Sequence, residues 1–305
     1  MNPETELTTK QLRAICEKHN IPYHSKKRIN IGFSHEVHKL NDDLIIKLYN
    51  SRDPKRFKIE SRLLAMDLPF PKPKSIVTDY DKNIGKNYVI MSYIPGASLG
   101  SVWHKANDKQ REMLIKDICN VLKNINEVDP SILDDKSNSW QESRMQKAER
   151  IIGILKVNGI FNEAQVQKAT EAIKHYAPAL AGNERKPVYW DIHFDNFLVN
   201  DNYELQGVVD LENVIYAALD YPLFVIQRMT DEPEKMLREE DEQYARTEDY
   251  ARVKGWYEQY YPEMFDFPNL AVRLKFYQLL DALHLLRDWS HNKELWDKFE
   301  DLVNS

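Results

Sequence analysis

The hydrophobic pattern of the chain changes at Pro95-Gly96, and this change restricts the possible folds more than any other feature. Before it, β-prone runs alternate with turn residues, as in RINIGFSHEVHKL, LIIKLYN and NYVIMSYI. After it, apolar residues recur mostly at helical spacing. The pattern predicts an α+β fold with two lobes, in which a small antiparallel sheet precedes a larger, mainly helical part.

The boundaries follow from the same pattern. We predict a first domain over 1–95, a hinge at 91–96 and a second domain over 96–305. Helices are predicted over 8–19, 54–66, 107–127, 139–157, 162–177, 235–259 and 269–304, the last of them broken. A run of strand-like sequence over 187–214 interrupts the helical part and predicts a hairpin around Asp201-Asn202.

The composition excludes several classes of protein. Lysine and arginine number 42 against 48 aspartates and glutamates, a net charge of −6, whereas nucleic-acid binders usually carry a basic surplus. Two cysteines, Cys16 and Cys119, exclude a disulfide scaffold and a CxxC metal site. No apolar run approaches the ~18 residues of a membrane span, and the polar first residues do not resemble a signal peptide. We expect a soluble, cytoplasmic protein that binds neither nucleic acid nor membrane.

The segment Asp191-Ile-His-Phe-Asp-Asn196 carries the strongest chemical signal, together with Asp210 at the end of a following strand. Phosphoryl transfer needs a carboxylate that accepts the proton of the attacking hydroxyl, and an amide oxygen and a second carboxylate that hold magnesium. A hairpin would bring Asn196 and Asp210 together at the ends of paired strands. The alternative, that these aspartates only cap turns, explains each residue singly but not the complete pattern.

The run Ile45-Ile46-Lys47-Leu48 places a lysine inside an apolar strand. Lysine is rarely buried without a partner, and Glu60, in the middle of a predicted helix, is the candidate partner. In a kinase-like site such a lysine holds the α- and β-phosphates, and the glutamate fixes the lysine. The alternative is a lysine that snorkels from a strand edge, beside an exposed glutamate.

Two further segments are candidates for nucleotide binding. Gly32 and Ser34 lie between two predicted strands, where backbone N–H groups can cover phosphates. Met91 and Tyr93 lie at the predicted hinge, whose backbone groups would pair with the adenine edge. An ordinary hairpin and a simple strand end remain the alternatives for these two segments.

These features occur in one order along the chain: Gly32, Lys47, Glu60, the hinge at 91–96, Asp191-x4-Asn196 and Asp210. The set resembles the aminoglycoside phosphotransferase and choline kinase-like family, whose fold is similar to that of eukaryotic protein kinases. The resemblance covers roughly residues 28–225 and implies a protein kinase-like fold, Mg²⁺ as cofactor, and ATP or GTP as co-substrate. No Ala-Pro-Glu segment follows Asp210, which favours a small-molecule acceptor over a protein.

The resemblance also implies roles for individual residues. Asp191 would be the catalytic base, and Asn196 and Asp210 the magnesium ligands. Lys47, held by Glu60, would bind the phosphates. The other implied nucleotide-binding residues are Gly32, Ser34, Met91 and Tyr93. His193 matches the family's second histidine and is assigned to the shape of the catalytic loop.

Three positions depart from the family pattern. Tyr189-Trp190 replace His-Gly before the base, Tyr221 separates Asp220 from Pro222, and Asn126 stands where many relatives have histidine. None of these changes removes a group that must touch phosphate or metal.

An acidic run marks the candidate acceptor region. Residues 231–249 carry nine acidic and three basic side chains, and such a surface attracts a cationic acceptor. The candidate acceptor-binding residues are His193, Glu212, Asp231, Glu232, Glu239 and Asp281. A solvated helical face is the alternative. The aromatic residues over 256–261 would either cage a quaternary ammonium or pack in the core. The polar residues over 281–288 would either face the acceptor or form a paired, partly buried set.

We therefore expect a Mg²⁺-dependent O-phosphotransferase that moves the γ-phosphate of ATP or GTP to a hydroxyl of a small, polar, cationic acceptor. Aminoglycoside-like antibiotics are favoured, with antibiotic resistance as the role, and we expect a monomer or homodimer. One alternative is a metabolic kinase of the choline, ethanolamine or sugar type. The other is a non-catalytic, pseudokinase-like module that binds nucleotide, which Tyr189-Trp190 motivate.

Overall fold

The computed structural model describes residues 7–29, 35–49, 54–135, 137, 139–182 and 184–305. Strands predominate before residue 96 and helices after it, which confirms the expected α+β class. Contacts group the chain into two compact units. The first comprises Met1–Asn124, His193–Val214 and Leu237–Ala245, and the second comprises Ile125–Ile192, Ile215–Met236 and Arg246–Ser305.

The first unit contains a five-stranded antiparallel sheet with the order β1-β2-β3-β5-β4. The strands are β1 (Lys26–Ile29), β2 (Glu36–Leu40), β3 (Leu44–Tyr49), β4 (Ser75–Asp81) and β5 (Lys86–Ser92). The turn between β2 and β3 is tight, because Leu40 pairs directly with Leu44. Asn41 in this turn takes a left-handed backbone conformation, φ 57°, which asparagine tolerates better than most residues.

Helix α1 (Thr9–Lys18) contributes to the core on one side of the sheet. Its residues Leu12 and Ile15 belong to one apolar cluster with Ile46 and Leu48 of β3. Because successive side chains of a strand point to opposite faces, the intervening Lys47 points to the other side. Helix α2 (Pro54–Ala65) supplies the contacts of that side.

A second, three-stranded sheet follows the predicted hinge, with the order β6-β8-β9. Its strands are β6 (Ala97–Ser98), β8 (Phe197–Val199) and β9 (Leu205–Val208), and helices α3 (Leu99–Val102) and α4 (Asp108–Asn126) follow β6 in the chain. The hairpin predicted around Asp201-Asn202 is confirmed by the antiparallel pairing of β8 with β9. Gly96 has a φ of 146°, and a Cβ there would lie 2.7 Å from the Val199 carbonyl oxygen, so this approach requires glycine.

The second unit is mainly helical. Its helices are α5 (Trp140–Val157), α6 (Glu163–Tyr176), α7 (Leu223–Asp231), α8 (Thr247–Tyr250), α9 (Val253–Tyr260), α10 (Leu270–Asp288) and α11 (Lys293–Asn304). A two-stranded ladder pairs β7 (Lys186–Tyr189) with β10 (Val214–Ala217). Within the described ranges, no helix combines the length and the apolar composition that a membrane crossing requires.

A buried ion pair lies in the core of this unit. Arg273 donates to both carboxylate oxygens of Asp220, at 2.5 and 2.6 Å, and both side chains are fully buried. The hydroxyl of Tyr277 adds a hydrogen bond to Asp220 at 3.1 Å and accepts one from Trp140 Nε1 at 2.9 Å. The network links α5, α10 and the segment that follows β10.

The single helix predicted over 235–259 is wrong. The segment instead contains 3₁₀ turns and the short helices α8 and α9. A continuous helix would place the like charges of 239–242 within one turn of each other, which is unfavourable. Arg238 and Tyr244 instead contact Asp195 and His104 of the first unit.

The structure also tests the predicted break within 269–304 and adds one helix, α7, that the sequence pattern did not predict. The predicted break within 269–304 is confirmed, because α10 and α11 are separate. Helix α7 was not predicted, since five of its nine residues are buried and apolar, and its short sequence shows no clear polar face.

Candidate active site

Lys47 lies among three carboxylates in the first unit. Its Nζ is 2.6 Å from Glu60 Oε2, 2.5 Å from Asp210 Oδ1 and 3.1 Å from Glu212 Oε2. The lysine is only 5% exposed, so the alternative of a snorkelling lysine is wrong. Tyr49 donates a further hydrogen bond to the same Glu60 oxygen that accepts from Lys47. We call Lys47, Glu60, Asp210 and Glu212 the Lys47 cluster.

Opposite charges hold Glu212 in this cluster. His35 Nε2 lies 2.6 Å from its Oε2, and Arg56 Nη1 lies 3.1 Å from its Oε1. Burial by itself would raise the pKa of Glu212, but Lys47, His35 and Arg56 outweigh burial and lower it to about 2. Glu212 therefore remains a carboxylate at any pH near neutrality.

The lysine also keeps its charge. Burial would lower the pKa of Lys47, but the carboxylates of Asp210 and Glu60 outweigh burial and raise the pKa well above its ordinary value. Burial raises the pKa of Glu60, while Lys47 acts in the opposite direction. The cluster therefore presents a fixed ammonium group, which is a point charge suited to phosphate.

The hairpin brings Asn196 and Asp210 to one end of β8 and β9. Phe197 pairs with Val208 in the strand register, and Val209 N donates to the Asn196 carbonyl at 2.9 Å. Asp210 follows in a left-handed conformation, φ 61° and ψ 42°. The two candidate magnesium ligands therefore lie side by side, as the spacing predicts.

The donor groups at this end of the hairpin suit magnesium chemically. Glu60, Asp210 and Glu212 can offer carboxylate oxygens within 4.8 Å of one another, and magnesium prefers oxygen ligands. The side chains of Glu60 and Glu212 are 2% and 1% exposed, whereas that of Asp210 is 36% exposed. Among these three, Asp210 is the carboxylate that an ion can reach, and Asn196, whose backbone carbonyl bonds to Val209 N, is a neighbouring residue with an amide side chain.

Asp191, the candidate base, lies in the second unit two residues after the end of β7 and is half-buried. Its neighbours Tyr189 and Ile192 are fully buried. The ring of Trp190 stacks on Phe224, with centroids 6.0 Å apart. The aromatic pair that departs from the family pattern therefore anchors the chain just before the candidate base.

Asn126, another departure from the family pattern, has a structural role in the second unit. Its Nδ2 donates to the Pro187 carbonyl at 2.6 Å, and its Oδ1 accepts from the Tyr261 hydroxyl. This residue ties the end of α4 to β7, the strand that precedes Asp191.

Sequence reasoning missed the role of Asp195. Its Oδ1 accepts from Ser98 Oγ at 2.8 Å, and its Oδ2 lies 3.2 Å from Arg238 Nε. These partners are 97 and 43 residues away along the chain, so no local pattern indicates them. The one available signal was the position of Asp195, immediately before Asn196.

The candidate nucleotide-binding residues are only partly described. Gly32 and Ser34 lie outside the described residues. Met91 lies in β5, opposite Ile45 of β3. Tyr93 N donates to the Asp43 carbonyl at 2.7 Å, so this N–H group is already occupied within the first unit. The adenine contacts at Met91 and Tyr93 stay a prediction.

Two of the acceptor candidates, Asp231 and Glu232, line a cleft of about 540 Å³ in the second unit. The charged lining residues are Asp231, Glu232, Glu294, Asp297 and Asp301, and Arg228, Lys235 and Lys298. Five carboxylates against three cations leave the cleft acidic. Asp281 is not among the lining residues but pairs with Arg228, at 3.1 Å. We call this the acidic cleft.

The other acceptor candidates belong to the first unit. Glu239 is exposed, and Glu212 is buried in the Lys47 cluster. His193 precedes the turn Phe194–Asn196, and its carbonyl accepts from Asn196 N at 3.0 Å. The six candidates are therefore not brought together at one place in either unit, and their contacts with an acceptor stay predictions.

Burial distinguishes between the alternative roles given above for the aromatic residues over 256–261 and the polar residues over 281–288. Trp256, Tyr257 and Tyr261 are buried, so core packing is confirmed for them rather than an aromatic cage. On α10, Asp281 is ion-paired, and burial lowers the pKa of His284 to about 3. These observations favour the paired, partly buried set on that helix.

The fold agrees with that of known proteins. ADP-bound aminoglycoside phosphotransferase APH(2'')-Ib superposes with a TM-score of 0.67 at 15% identity, over 97% of this chain and 97% of that one. The streptomycin–ATP complex of APH(2'')-IIa gives 0.68 at 15% identity, over 99% of this chain and 97% of that one. The GDP and kanamycin complex of APH(2'')-IIIa gives 0.66 at 13% identity, over 96% and 97%. These likenesses confirm the expected protein kinase-like fold.

Comparison at the level of sequence gives two results. No curated protein sequence is significantly similar to this chain. The model of the phosphotransferase enzyme family, however, matches residues 26–256. This match spans Lys47, the hairpin of β8 and β9, and the whole of the acidic run over 231–249. The chain therefore belongs to the phosphotransferase enzyme family.

Proposed function

We propose that this protein is a Mg²⁺-dependent O-phosphotransferase that moves the γ-phosphate of ATP or GTP to a hydroxyl of a small, polar, cationic acceptor. The observation that carries the proposal is the contact of Lys47 with Asp210, with Asn196 beside Asp210 at the end of the hairpin. In this proposal residues 1–95, with the hinge at 91–96, bind the nucleotide. Residues 96–305 hold the catalytic hairpin and the acceptor.

Each residue of the site has a defined task in such a reaction. Lys47, fixed by Glu60, binds the phosphates. Asn196 and Asp210 hold the metal ion, which when bound neutralises charge on the β- and γ-phosphates. Asp191 orients the attacking hydroxyl and accepts its proton, so that the oxygen becomes a better nucleophile as it approaches phosphorus.

The charge of the Lys47 cluster supports a requirement for a divalent cation. Glu60, Asp210 and Glu212 place three carboxyl groups around Lys47, and the other basic side chains at Glu212 are Arg56 and His35. A nucleotide brings further negative charge to Lys47. A divalent cation held by Asp210 and Asn196 offsets this repulsion, which is a reason for nucleotide and metal to bind together.

The acidic cleft supports a cationic acceptor. Its five carboxylates exceed its three cations, and a ligand with several ammonium groups is attracted by that excess. Structures of similar fold have been determined with streptomycin and with kanamycin. We therefore favour aminoglycoside-like antibiotics as acceptors, with resistance as the role. Choline, ethanolamine and sugars are the alternative acceptors.

The decisive experiment is a coupled assay of nucleoside diphosphate release. ATP and GTP, each with Mg²⁺, are tested against aminoglycosides, choline, ethanolamine and sugars. We expect an acceptor-dependent rate that Asp191→Ala lowers by at least ~10³-fold, because proton removal and hydroxyl alignment are lost together. Asp201→Ala, in an exposed turn, is the control. An acceptor-dependent rate that survives in Asp191→Ala would contradict the role of the base.

The pseudokinase-like alternative predicts a different result in the same assay. It expects nucleotide binding with no turnover on any acceptor. Lys47, Asp191, Asn196 and Asp210 are all present, and a module without catalysis has no chemical need for the complete set. Binding of nucleotide without turnover on the whole panel would favour that alternative over the enzyme.

A further inference from the structure

Asp195 is held on both of its carboxylate oxygens by residues outside the catalytic hairpin. Ser98, at the start of α3, donates to Oδ1 at 2.8 Å, and Arg238 Nε lies 3.2 Å from Oδ2. The Ser98 side chain also caps α3 by accepting from Ser101 N. We call Ser98, Asp195 and Arg238 the Asp195 clamp. All three belong to the first unit.

The space around this carboxylate is closely fitted. A Cβ on Gly100 would lie 2.7 Å from Asp195 Oδ1 and 3.3 Å from Leu237 Cδ2. A glycine is therefore needed where α3 passes the carboxylate. The preceding residue, Phe194, packs on Trp103 with ring centroids 4.5 Å apart. Both residues before Asn196 are thus fixed from outside the hairpin.

The segment 237–245, which is part of the acidic run, makes the third set of contacts. Its first two residues are Leu237, which lies beside Gly100, and Arg238, which is a member of the clamp. Near its end, the ring of Tyr244 stacks on His104, with centroids 4.4 Å apart and planes at 9°. The segment therefore contacts Asp195 through Arg238 and His104 through Tyr244.

We propose that the Asp195 clamp positions Asn196 for the metal-bound nucleotide, and that residues 237–245 act on the turn Phe194–Asn196 through Arg238. The inference rests on the proposed function, because it takes Asn196 as a metal ligand. Asn196 is the last residue of the three-residue turn Phe194–Asn196. In so short a turn the backbone position of Asn196 is tied to that of Asp195. Partners that orient a metal ligand in this way affect metal affinity by about 10–100-fold when they are removed.

Four variants probe the clamp without touching a proposed ligand. Asp195→Asn keeps the size of the side chain and removes its charge. Arg238→Met removes the guanidinium, and Arg238→Lys keeps a positive charge. Gly100→Ala presses on the same carboxylate from α3. Arg246→Met, an exposed arginine in the second unit, is the matched control.

The experiment measures ADP binding by calorimetry at increasing Mg²⁺ concentration, together with the melting temperature of each variant. We expect Asp195→Asn and Arg238→Met to raise the Mg²⁺ concentration for half-maximal tightening of ADP binding by about tenfold. Gly100→Ala shifts it in the same direction, and Arg238→Lys restores part of the wild-type value. For Asp195→Asn and Arg238→Met, to which the stability criterion applies, the affinity for ADP without Mg²⁺ and the melting temperature stay near those of Arg246→Met. Gly100→Ala crowds a buried position and also lowers the melting temperature. The double variant Asp195→Asn/Arg238→Met shifts no further than either single variant, because the two act as a unit.

The outcomes separate the inference from the proposed function. A wild-type protein whose ADP affinity does not respond to Mg²⁺ would refute the proposed metal site itself. If the wild type responds but the clamp variants behave like Arg246→Met, the positioning role is overturned. A parallel loss of metal-free ADP affinity and melting temperature would also overturn it, since the clamp would then only support the fold.

Discussion

At the scale of the residue, Glu212 is a buried carboxylate of the Lys47 cluster that pairs with three basic side chains. It contacts Lys47, His35 and Arg56, and its side chain is 1% exposed. A buried charge is costly unless it is paired and hydrogen-bonded. Glu212 is ion-paired from β3, from the residue before β2 and from α2, and it accepts a hydrogen bond from Arg56 Nη1. Its ionisation is therefore linked to the stability of the first unit.

This linkage predicts how stability depends on pH. The pKa of Glu212 is about 2 in the folded chain against an ordinary 4.5. The lowered pKa means that the carboxylate stabilises the folded state above pH 4.5, and that this contribution is lost as the pH falls towards 2. Glu212→Gln removes the titrating group. We expect the variant to be less stable than wild type at pH 6.5, and the difference to shrink between pH 4.5 and 3.

Urea unfolding of both proteins at pH 6.5, 4.5 and 3 measures this difference. Glu248→Gln, at an exposed position of the second unit, is the control and should track wild type throughout. A gap between wild type and Glu212→Gln that stays constant over this range would show that Glu212 is not the titrating group.

At the scale of the element, the sequence correctly predicted those elements whose structure depends on neighbouring residues. The hairpin around Asp201-Asn202 follows from two short β-prone runs and turn residues between them. The break after α10 was predicted in the same way. The prediction of one helix over 235–259 was wrong because helical spacing takes no account of repulsion between like charges. It also takes no account of distant contacts such as that of Arg238 with Asp195. The Asp195 clamp joins residues far apart in sequence, so no window of neighbouring residues could reveal it.

The ion pair of Asp220 and Arg273 makes an element-scale prediction. It joins the segment after β10 to α10, and both side chains are fully buried. Asp220→Ala leaves a buried guanidinium without its carboxylate, which costs about 3–5 kcal/mol. For a protein of this size we expect the melting temperature to fall by roughly 5–15 °C. The double variant Asp220→Ala/Arg273→Met should recover part of the loss, because no unpaired charge remains.

Thermal unfolding followed by circular dichroism tests this prediction. Asp301→Ala, at an exposed position of α11 in the same unit, is the control and should change the melting temperature little. If Asp220→Ala melts within about 2 °C of wild type, the pair does not hold these two elements together.

At the scale of the whole molecule, the order of a few chemical groups proved more informative than overall similarity. Structures with 13–15% identity share the fold over nearly the whole chain. The set of motifs from Lys47 to Asp210 could be recognised in the sequence because phosphoryl transfer calls for particular side-chain types, and these occur in a fixed order along the chain. The candidate acceptor-binding residues form no such ordered set, because they are polar side chains from several elements. Asp231 and Glu232 line the acidic cleft, whereas Glu239, from the same acidic run, belongs to the other unit.

The electrostatic field of the whole molecule leads to the last prediction. The chain carries a net charge of −6, and the acidic cleft has an excess of carboxylates. A polycationic ligand bound there gains much of its affinity from long-range attraction, which salt screens over ~10 Å at 0.1 M and ~3 Å at 1 M. We expect the Kd of neomycin, measured by calorimetry, to rise by at least about tenfold between 50 and 500 mM KCl. The double variant Asp231→Asn/Glu232→Gln should weaken binding at low salt and flatten the dependence, whereas Glu248→Gln should not. Binding that is unaffected by salt, or by the double variant, would place the cationic ligand elsewhere.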